Sequence, residues 1–158
     1  YAGERIDWKS DIVKNRRRKV TLLHQSPYLL RGTVFRNVAY GLSARGVAGE
    51  TALQAVDRAL ETVGLDRFRD RDARELYGGE AQRVAMARAL ALEPDVLLLD
   101  EPLANIDRET AVLLETVIAA LPSRGTTVVM TTHDPDPPAR WGGGSIVLEG
   151  GKIAYADL

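Results

Sequence analysis

The stretch Val96-Leu97-Leu98-Leu99-Asp100-Glu101-Pro102 is the strongest local signal in this chain of 158 residues. Its first four residues are apolar without alternation, which is typical of a parallel strand that is buried on both faces. Two acids follow this strand directly. Because ligands of open α/β sheets bind just beyond the carboxyl ends of the strands, the acids lie where a functional site is expected.

Placing two acids beside an apolar strand costs free energy unless they bind a cation or take part in a reaction. Asp100 is placed to hold Mg²⁺, directly or through water, and Glu101 is placed to polarise an attacking water as general base. The alternative is a pair of acids that only caps or ends a loop after a strand. The pair taken alone leaves both interpretations open.

Predicted strands and helices alternate along the rest of the chain. Apolar and β-branched runs predict strands at residues 20–24, 126–131, 146–148 and 152–155, and helical periodicity predicts helices at 51–63, after the glycines of 76–80 as far as 92, and after Asp107. Gly150-Gly151 predicts a hairpin turn between the last two strands.

This alternation favours an α/β fold with a largely parallel sheet. Residues from about 28 to 92 carry little strand signal. We therefore expect a single domain, in which a helical subdomain at about 28–92 is inserted between sheet-bearing parts at 1–27 and 93–158.

The composition excludes several classes of function. A formal net charge of −1 gives no global attraction to nucleic acid. The chain has no cysteine and two histidines, which excludes disulfides and argues against Cys- or His-rich metal sites. No apolar run approaches the roughly 20 residues that a membrane-spanning helix needs. The basic stretch at 16–19 is interpreted as a solvated loop or edge rather than a nucleic-acid patch.

The stretch Leu76-Tyr77-Gly78-Gly79-Glu80 precedes an alanine-rich helix. Two glycines there leave backbone N–H groups exposed at a helix N-terminus, and such groups bind anions such as phosphate. A glycine pair before a helix is more often only a turn. Its place one helix upstream of the acid pair strengthens the phosphate interpretation.

Two further polar side chains directly follow predicted strands. His133 comes after 126–131 and can donate a hydrogen bond to a phosphate oxygen, although a histidine there is more often structural. Gln25 comes after 20–24, and its neutral amide can contact Mg²⁺ or the attacking water. Together with the acid pair, these residues predict one polar rim at the carboxyl ends of three strands.

In this order, the motifs resemble the nucleotide-binding domain of the ABC ATPase family. Gln25 matches the Q-loop, and residues 76–80 match the signature motif, which is usually Leu-Ser-Gly-Gly-Gln. Residues 97–101 match the Walker B strand with its catalytic glutamate. Residues 103–107 match the D-loop, and His133 matches the switch histidine.

The resemblance covers nearly the whole chain, from about Gly3 to Tyr155. It implies a P-loop NTPase-like fold and an ATPase whose cofactors are ATP and Mg²⁺. The implied partners are a second nucleotide-binding domain in a head-to-tail homodimer and transmembrane permease subunits, with no nucleic acid. The implied location is cytoplasmic, peripheral at the inner face of the cell membrane.

The resemblance also implies roles for individual residues. The catalytic residues would be Glu101 and His133, and the metal would be held by Asp100 and Gln25. The residues implied to bind nucleotide are Gln25, Tyr77, Gly78, Gly79, Glu80 and Asp107.

Three features depart from the family pattern. No Gly-x-x-x-x-Gly-Lys-Ser/Thr occurs in the sequence, so we expect an N-terminally truncated domain that lacks the leading strands and the Walker A loop and binds ATP poorly alone. Tyr77 stands where the family usually has serine, and its hydroxyl lies farther from the backbone. Glu80 replaces glutamine and adds negative charge near a phosphate.

Finer features favour a transporter subunit. Gln25-Ser26-Pro27 followed by residues 33–38 resembles bacterial or archaeal importer subunits, among them those that serve small oxyanions or other small solutes. A soluble ABC ATPase of DNA repair, chromosome maintenance or translation usually carries coiled-coil insertions or tandem domains, which this sequence lacks. A non-catalytic remnant is the third class, and the intact acid pair argues against it.

The apolar stretch Tyr28-Leu29-Leu30 directly follows the Q-loop match. It is a candidate for the surface that couples to the permease. The alternative, that it packs inside the helical subdomain, is equally favoured.

Overall fold

The computed structural model of the protein describes residues 19–134 and 141–157. The strands are β1 (Val20–Leu23), β2 (Val96–Asp100), β3 (Thr127–Thr131), β4 (Ser145–Glu149) and β5 (Lys152–Asp157). The α-helices are α1 (Val34–Ala44), α2 (Gly49–Thr62), α3 (Gly79–Leu90) and α4 (Arg108–Ala120). Short 3₁₀ turns lie at Asp66–Phe68, Ala73–Glu75 and Pro122–Arg124. Most of the basic stretch at 16–19 lies outside the described residues.

The first three strands form one parallel sheet in the order β1-β2-β3. Leu23 is paired with Leu99, and Asp100 is paired with Thr131, so the carboxyl ends of the three strands lie at one edge. Leu97 and Leu99 of β2 are buried, whereas Val96 and Leu98 on the opposite face are partly buried. The described residues therefore bury one face of the central strand fully and cover the other only in part, although the sequence predicts burial on both faces. The predicted parallel sheet is confirmed.

The chain between β1 and β2 folds into α1, α2 and α3, as the weak strand signal of residues 28–92 predicts. Buried side chains from these helices, among them Val38, Leu60 and Met86, form one hydrophobic core with Leu97 and Leu99 of β2. Because this core is continuous, helices and sheet pack as one body. The division into a helical subdomain and a sheet-bearing part stays a prediction.

Helix α2 shows how closely periodicity predicts burial. Val56, Leu60 and Val63 are buried on one face, as their spacing predicts, whereas Leu53 is 37% exposed at the margin of that face. Gly64 follows the helix with a φ of +66°, the left-handed conformation expected of a glycine at this cap.

Strands β4 and β5 form an antiparallel hairpin. Gly150 and Gly151 connect them with φ values of +54° and +76°, which glycine adopts without steric cost. The predicted hairpin is confirmed. No described helix combines the length and the apolar character that a membrane crossing requires.

Replacement of Leu60 by alanine tests the core. Leu60→Ala is expected to lower the free energy of unfolding by about 2–5 kcal/mol, because it removes a fully buried side chain and leaves a cavity. Leu53→Ala on the same helix is the matched control, and its loss is expected to be much smaller. Urea unfolding followed by circular dichroism measures both, and equal losses would contradict the described packing.

Candidate functional site

Three of the sequence-predicted residues meet at the carboxyl edge of the sheet. Glu101 Oε2 accepts a hydrogen bond from Gln25 Nε2 at 3.1 Å and lies 3.1 Å from His133 Nδ1. Gln25 follows β1, Glu101 follows β2 and His133 follows β3, so one carboxylate oxygen joins the ends of all three strands. The structure therefore brings these side chains together, as the sequence predicts.

The contact between Glu101 and His133 orients both groups more than it stabilises the fold. The His133 side chain is 79% exposed and that of Glu101 is 29% exposed, and ion pairs open to solvent contribute little net free energy. The two groups form an ion pair only when the imidazole is protonated. A neutral ring has to carry its proton on Nδ1 to donate to the carboxylate.

Asp100 joins the same edge through Thr131, which the sequence analysis did not single out. Thr131 Oγ1 donates to Asp100 Oδ1 at 2.7 Å, and the N–H of Glu101 lies 3.2 Å from the same hydroxyl oxygen. A hydroxyl residue at the end of a predicted strand was the available signal. Gln25, Asp100, Glu101, Thr131 and His133 are called the strand-end cluster below.

The backbone at Glu101 is strained and held at several points. Its φ is +44°, a region that non-glycine residues rarely adopt and that clusters at functional sites. The Glu101 N–H also donates to the Thr131 carbonyl, and the N–H of Ala104 donates to the Glu101 carbonyl at 3.1 Å. The buried Gln82 donates its Nε2 to the Pro102 carbonyl at 2.8 Å. These bonds fix the turn that presents the carboxylate.

The loop after Gln25 is anchored by side chains from two helices. The fully buried Asn37 of α1 accepts from the N–H of Leu30 at 2.7 Å and donates to the Leu30 carbonyl at 3.0 Å. Arg88 of α3 donates to the Tyr28 carbonyl at 3.0 Å, and burial lowers the pKa of this guanidinium. Leu29 packs against the core, whereas the Tyr28 side chain is exposed. The stretch thus contributes one residue to the core and one to the surface, and its role in coupling to a permease stays a prediction.

The second group of predicted residues lies at the start of α3. Gly78 caps the helix with a φ of +47°. A Cβ on Gly79 would lie 2.5 Å from Asp107 Oδ2 and would also collide with Thr110 Oγ1, so only glycine permits this approach of α3 to α4. Tyr77 is 78% exposed. We call residues 77–80 together with Asp107 the glycine surface.

The two groups are separate. Glu80 Oε1 lies 3.5 Å from Arg71 Nη1, so its added negative charge has a cationic neighbour within the chain. Within residues 19–134 and 141–157, no hydrogen bond joins the glycine surface to the strand-end cluster. The structure therefore places the predicted site residues on two surfaces of one chain.

Asp107 is the N-cap of α4, as the sequence predicts. Its Oδ1 accepts from the N–H of Thr110 at 2.8 Å, and its Oδ2 accepts from the Thr110 hydroxyl at 2.8 Å. These two hydrogen bonds, led by the one from the backbone, lower the pKa of the carboxyl group. The predicted contact of Asp107 with nucleotide stays a prediction beside this capping role.

Comparison with known proteins settles the family. The family model described as ABC transporter matches residues 2–104, more than half of the chain. The chain belongs to the ABC transporter family. The resemblance found in the sequence is thereby confirmed.

Relatives of this ABC transporter chain include the phosphate import ATP-binding protein PstB 2 of Natronomonas pharaonis. The two are 40% identical over 149 residues, which cover 89% of this chain and 52% of that protein. The chain thus spans about half of the length of this relative.

Two solved structures of the family share the fold. The structure of cbiO1 from Clostridium perfringens, part of the ABC transporter complex cbiONQ, matches with a TM-score of 0.87 and 25% identity over 99% of this chain and 63% of its own. The dimeric post-hydrolysis state of the ATP-binding cassette MJ0796, bound to ADP and Pi, matches with a TM-score of 0.78 and 31% identity. The match covers 96% of this chain and 68% of the MJ0796 chain. The predicted α/β, P-loop NTPase-like fold is confirmed.

Substitutions at Asp107 test its capping role in this ABC transporter chain. Asp107→Ala is expected to lower the thermal unfolding midpoint by a few degrees. Asp107→Asn keeps an acceptor for the Thr110 N–H, so its midpoint should stay close to that of the unsubstituted chain.

The same residue predicts a pH dependence. Because the folded-state pKa of Asp107 is depressed, its stabilisation is present above the unfolded pKa of about 4 and is lost as pH falls through the folded value. Thermal unfolding at neutral and acidic pH should show a smaller acid loss for Asp107→Asn than for the unsubstituted chain. Equal acid losses would contradict a titrating cap.

Proposed function

We propose that the protein containing this chain is the ATP-binding subunit of an ABC transporter and couples ATP hydrolysis to solute transport across a membrane. One observation carries the proposal. At the ends of three parallel strands, the same Glu101 carboxylate oxygen accepts a hydrogen bond from Gln25 and contacts His133. Membership of the family supports the same function.

The strand-end cluster fits a magnesium nucleotide. Asp100 uses Oδ1 for Thr131, and no hydrogen bond from a described residue reaches its Oδ2. Gln25 uses its amide nitrogen on Glu101, which leaves its carbonyl oxygen for other contacts. Both residues line one open groove between β1, α1 and α3. Oxygen ligands of this kind suit Mg²⁺.

The metal would depend on ligands beyond these side chains. In the described part of the chain, no group of three or more His, Cys, Asp or Glu residues could hold a metal ion. Mg²⁺ is usually bound by one or two carboxylates together with phosphates and water, so Asp100 and Gln25 would supply part of its coordination shell. When bound, Mg²⁺ neutralises negative charge on the phosphates during hydrolysis.

Glu101 and His133 would have different tasks. Glu101 would accept a proton from the attacking water through Oε1, while Gln25 and His133 hold Oε2 in place. His133 has a largely exposed ring, and no described residue bonds to its Nε2. This nitrogen would contact a phosphate oxygen.

The separation of the two surfaces supports a dimeric site. Gly78, Gly79 and the positive end of α3 would bind phosphate, with Tyr77, Glu80 and Asp107 beside them. Because no hydrogen bond among the described residues joins this surface to the strand-end cluster of the same chain, a head-to-tail homodimer with a second nucleotide-binding domain would bring the two together. The dimeric MJ0796 structure with ADP and Pi supports this arrangement.

The comparisons also support the remaining partners. The relation to cbiO1, part of a transporter complex, supports transmembrane permease subunits and a cytoplasmic location peripheral to the inner face of the cell membrane. The helical subdomain at 28–92 and Gln25 would pass closure of the dimer to these subunits. The phosphate import relative supports an importer of a small solute over a soluble ATPase of DNA repair or translation and over a non-catalytic remnant. Nucleic acid is not among the proposed partners.

Glu101→Gln tests the catalytic assignment in the longest natural polypeptide that contains these residues. The ATPase rate is expected to fall by about 100-fold or more, because a general base typically contributes about 10²–10⁴-fold. Glu109→Gln, which neutralises an exposed acid in the first turn of α4, is the matched control and should leave the rate unchanged. A Glu101→Gln protein with the unsubstituted rate would refute the assignment.

Tyr77→Ser tests the departure in the signature motif. The substitution is expected to raise the ATPase rate severalfold, because the serine hydroxyl restores the short reach of the usual family residue. Tyr77→Phe, which keeps the ring and removes only the hydroxyl, should behave like the unsubstituted protein. If serine and phenylalanine give the same rate, residue 77 does not limit turnover.

A further inference from the structure

We propose that Thr131 is a positioning residue that sets the placement of Asp100 and Glu101 relative to each other. This inference rests on the proposed function, because it assigns to Thr131 the alignment of a metal ligand with a general base. The residue touches neither nucleotide nor metal in this assignment, and it acts through the two acids.

The Thr131 hydroxyl both donates and accepts a hydrogen bond. A threonine hydroxyl has one proton to donate and lone pairs that accept. Its proton goes to Asp100 Oδ1 at 2.7 Å, and its oxygen accepts the N–H of Glu101 at 3.2 Å. One side chain therefore binds the carboxylate of one acid and the backbone of the next.

The parallel pairing of β2 with β3 brings the Thr131 hydroxyl close to both Asp100 and Glu101. Asp100 and Thr131 are paired across β2 and β3, so the threonine lies beside the last residue of the central strand. The Glu101 N–H is shared between the hydroxyl and the carbonyl oxygen of Thr131, both at 3.2 Å. At a backbone with a φ of +44°, these bonds help to hold a conformation that is unfavourable by itself.

The consequence is a preset geometry at the edge of the sheet. Fixing Asp100 Oδ1 restricts the carboxylate to one orientation and leaves Oδ2 for a cation. Fixing the Glu101 N–H sets the direction in which that side chain leaves the strand. Groups that are oriented in advance lose less conformational freedom when they bind or react, which favours both metal affinity and catalysis.

Three substitutions test this role in the longest natural polypeptide that contains these residues. Thr131→Val removes the hydroxyl and keeps the branched shape, and Thr131→Ser keeps the hydroxyl. Thr127→Val makes the same change at the exposed start of the same strand, where no described residue bonds to the hydroxyl. Circular dichroism checks that each variant folds.

The first measurement is Mn²⁺ binding, followed by electron paramagnetic resonance in the presence of a non-hydrolysable ATP analogue. Thr131→Val is expected to weaken Mn²⁺ binding by about 10- to 100-fold, the usual effect of losing a partner that orients a metal ligand. Thr131→Ser and Thr127→Val should bind like the unsubstituted protein. Unchanged Mn²⁺ affinity in Thr131→Val, or equal losses in Thr131→Val and Thr127→Val, would overturn the proposal.

The second measurement needs neither nucleotide nor metal and separates this inference from the proposed function. Amide hydrogen exchange at Glu101 should become faster in Thr131→Val and stay unchanged in Thr131→Ser. If the unsubstituted protein shows neither ATPase activity nor nucleotide-dependent Mn²⁺ binding, the proposed function fails. The positioning role then depends only on amide hydrogen exchange at Glu101, and equal exchange rates in all variants would refute it.

Discussion

The parallel pairing of β1, β2 and β3 determines where every side chain of the strand-end cluster lies. It places three carboxyl ends at one edge, where Gln25, Glu101 and His133 share a single carboxylate oxygen. A shift of one residue in the pairing of β2 with β3 would separate Asp100 from Thr131 and would turn every side chain of the shifted strand to the other face. The hydrophobic core that fixes this register therefore also fixes the geometry of the site.

Much of the fold could be predicted from the sequence because its signals are local. The apolar run of β2, the period of α2 and the glycine pair between β4 and β5 each carry their own pattern. Gln82 and Asn37 carry no such pattern, and Thr131 carries only its place at the end of a predicted strand, because the importance of all three comes from partners that folding brings to them. Gln82, for example, bonds to Pro102, which lies 20 residues away in the sequence. Polar residues of this kind become recognisable only when the register of the strands and the contact between the helices are known.

One buried hydrogen bond links the helix that carries the glycine surface to the turn that follows Glu101. Gln82 lies one turn inside α3, whose N-terminus forms the glycine surface, and it holds the turn that follows Glu101. Gly79 also packs against the first turn of α4 at Asp107 and Thr110. Under the proposed function, a partner that presses on the start of α3 would act on the Glu101 turn through a buried hydrogen bond.

The position of the proton on the neutral His133 ring shows whether Glu101 Oε2 is its hydrogen-bond partner. The sequence has only two histidines, His24 and His133, so ring-nitrogen NMR spectra of the protein are simple to assign. The contact with Glu101 Oε2 predicts that neutral His133 carries its proton on Nδ1 and that Glu101→Ala shifts its signals while those of His24 stay unchanged. A neutral ring protonated on Nε2 and insensitive to Glu101→Ala would contradict the shared carboxylate.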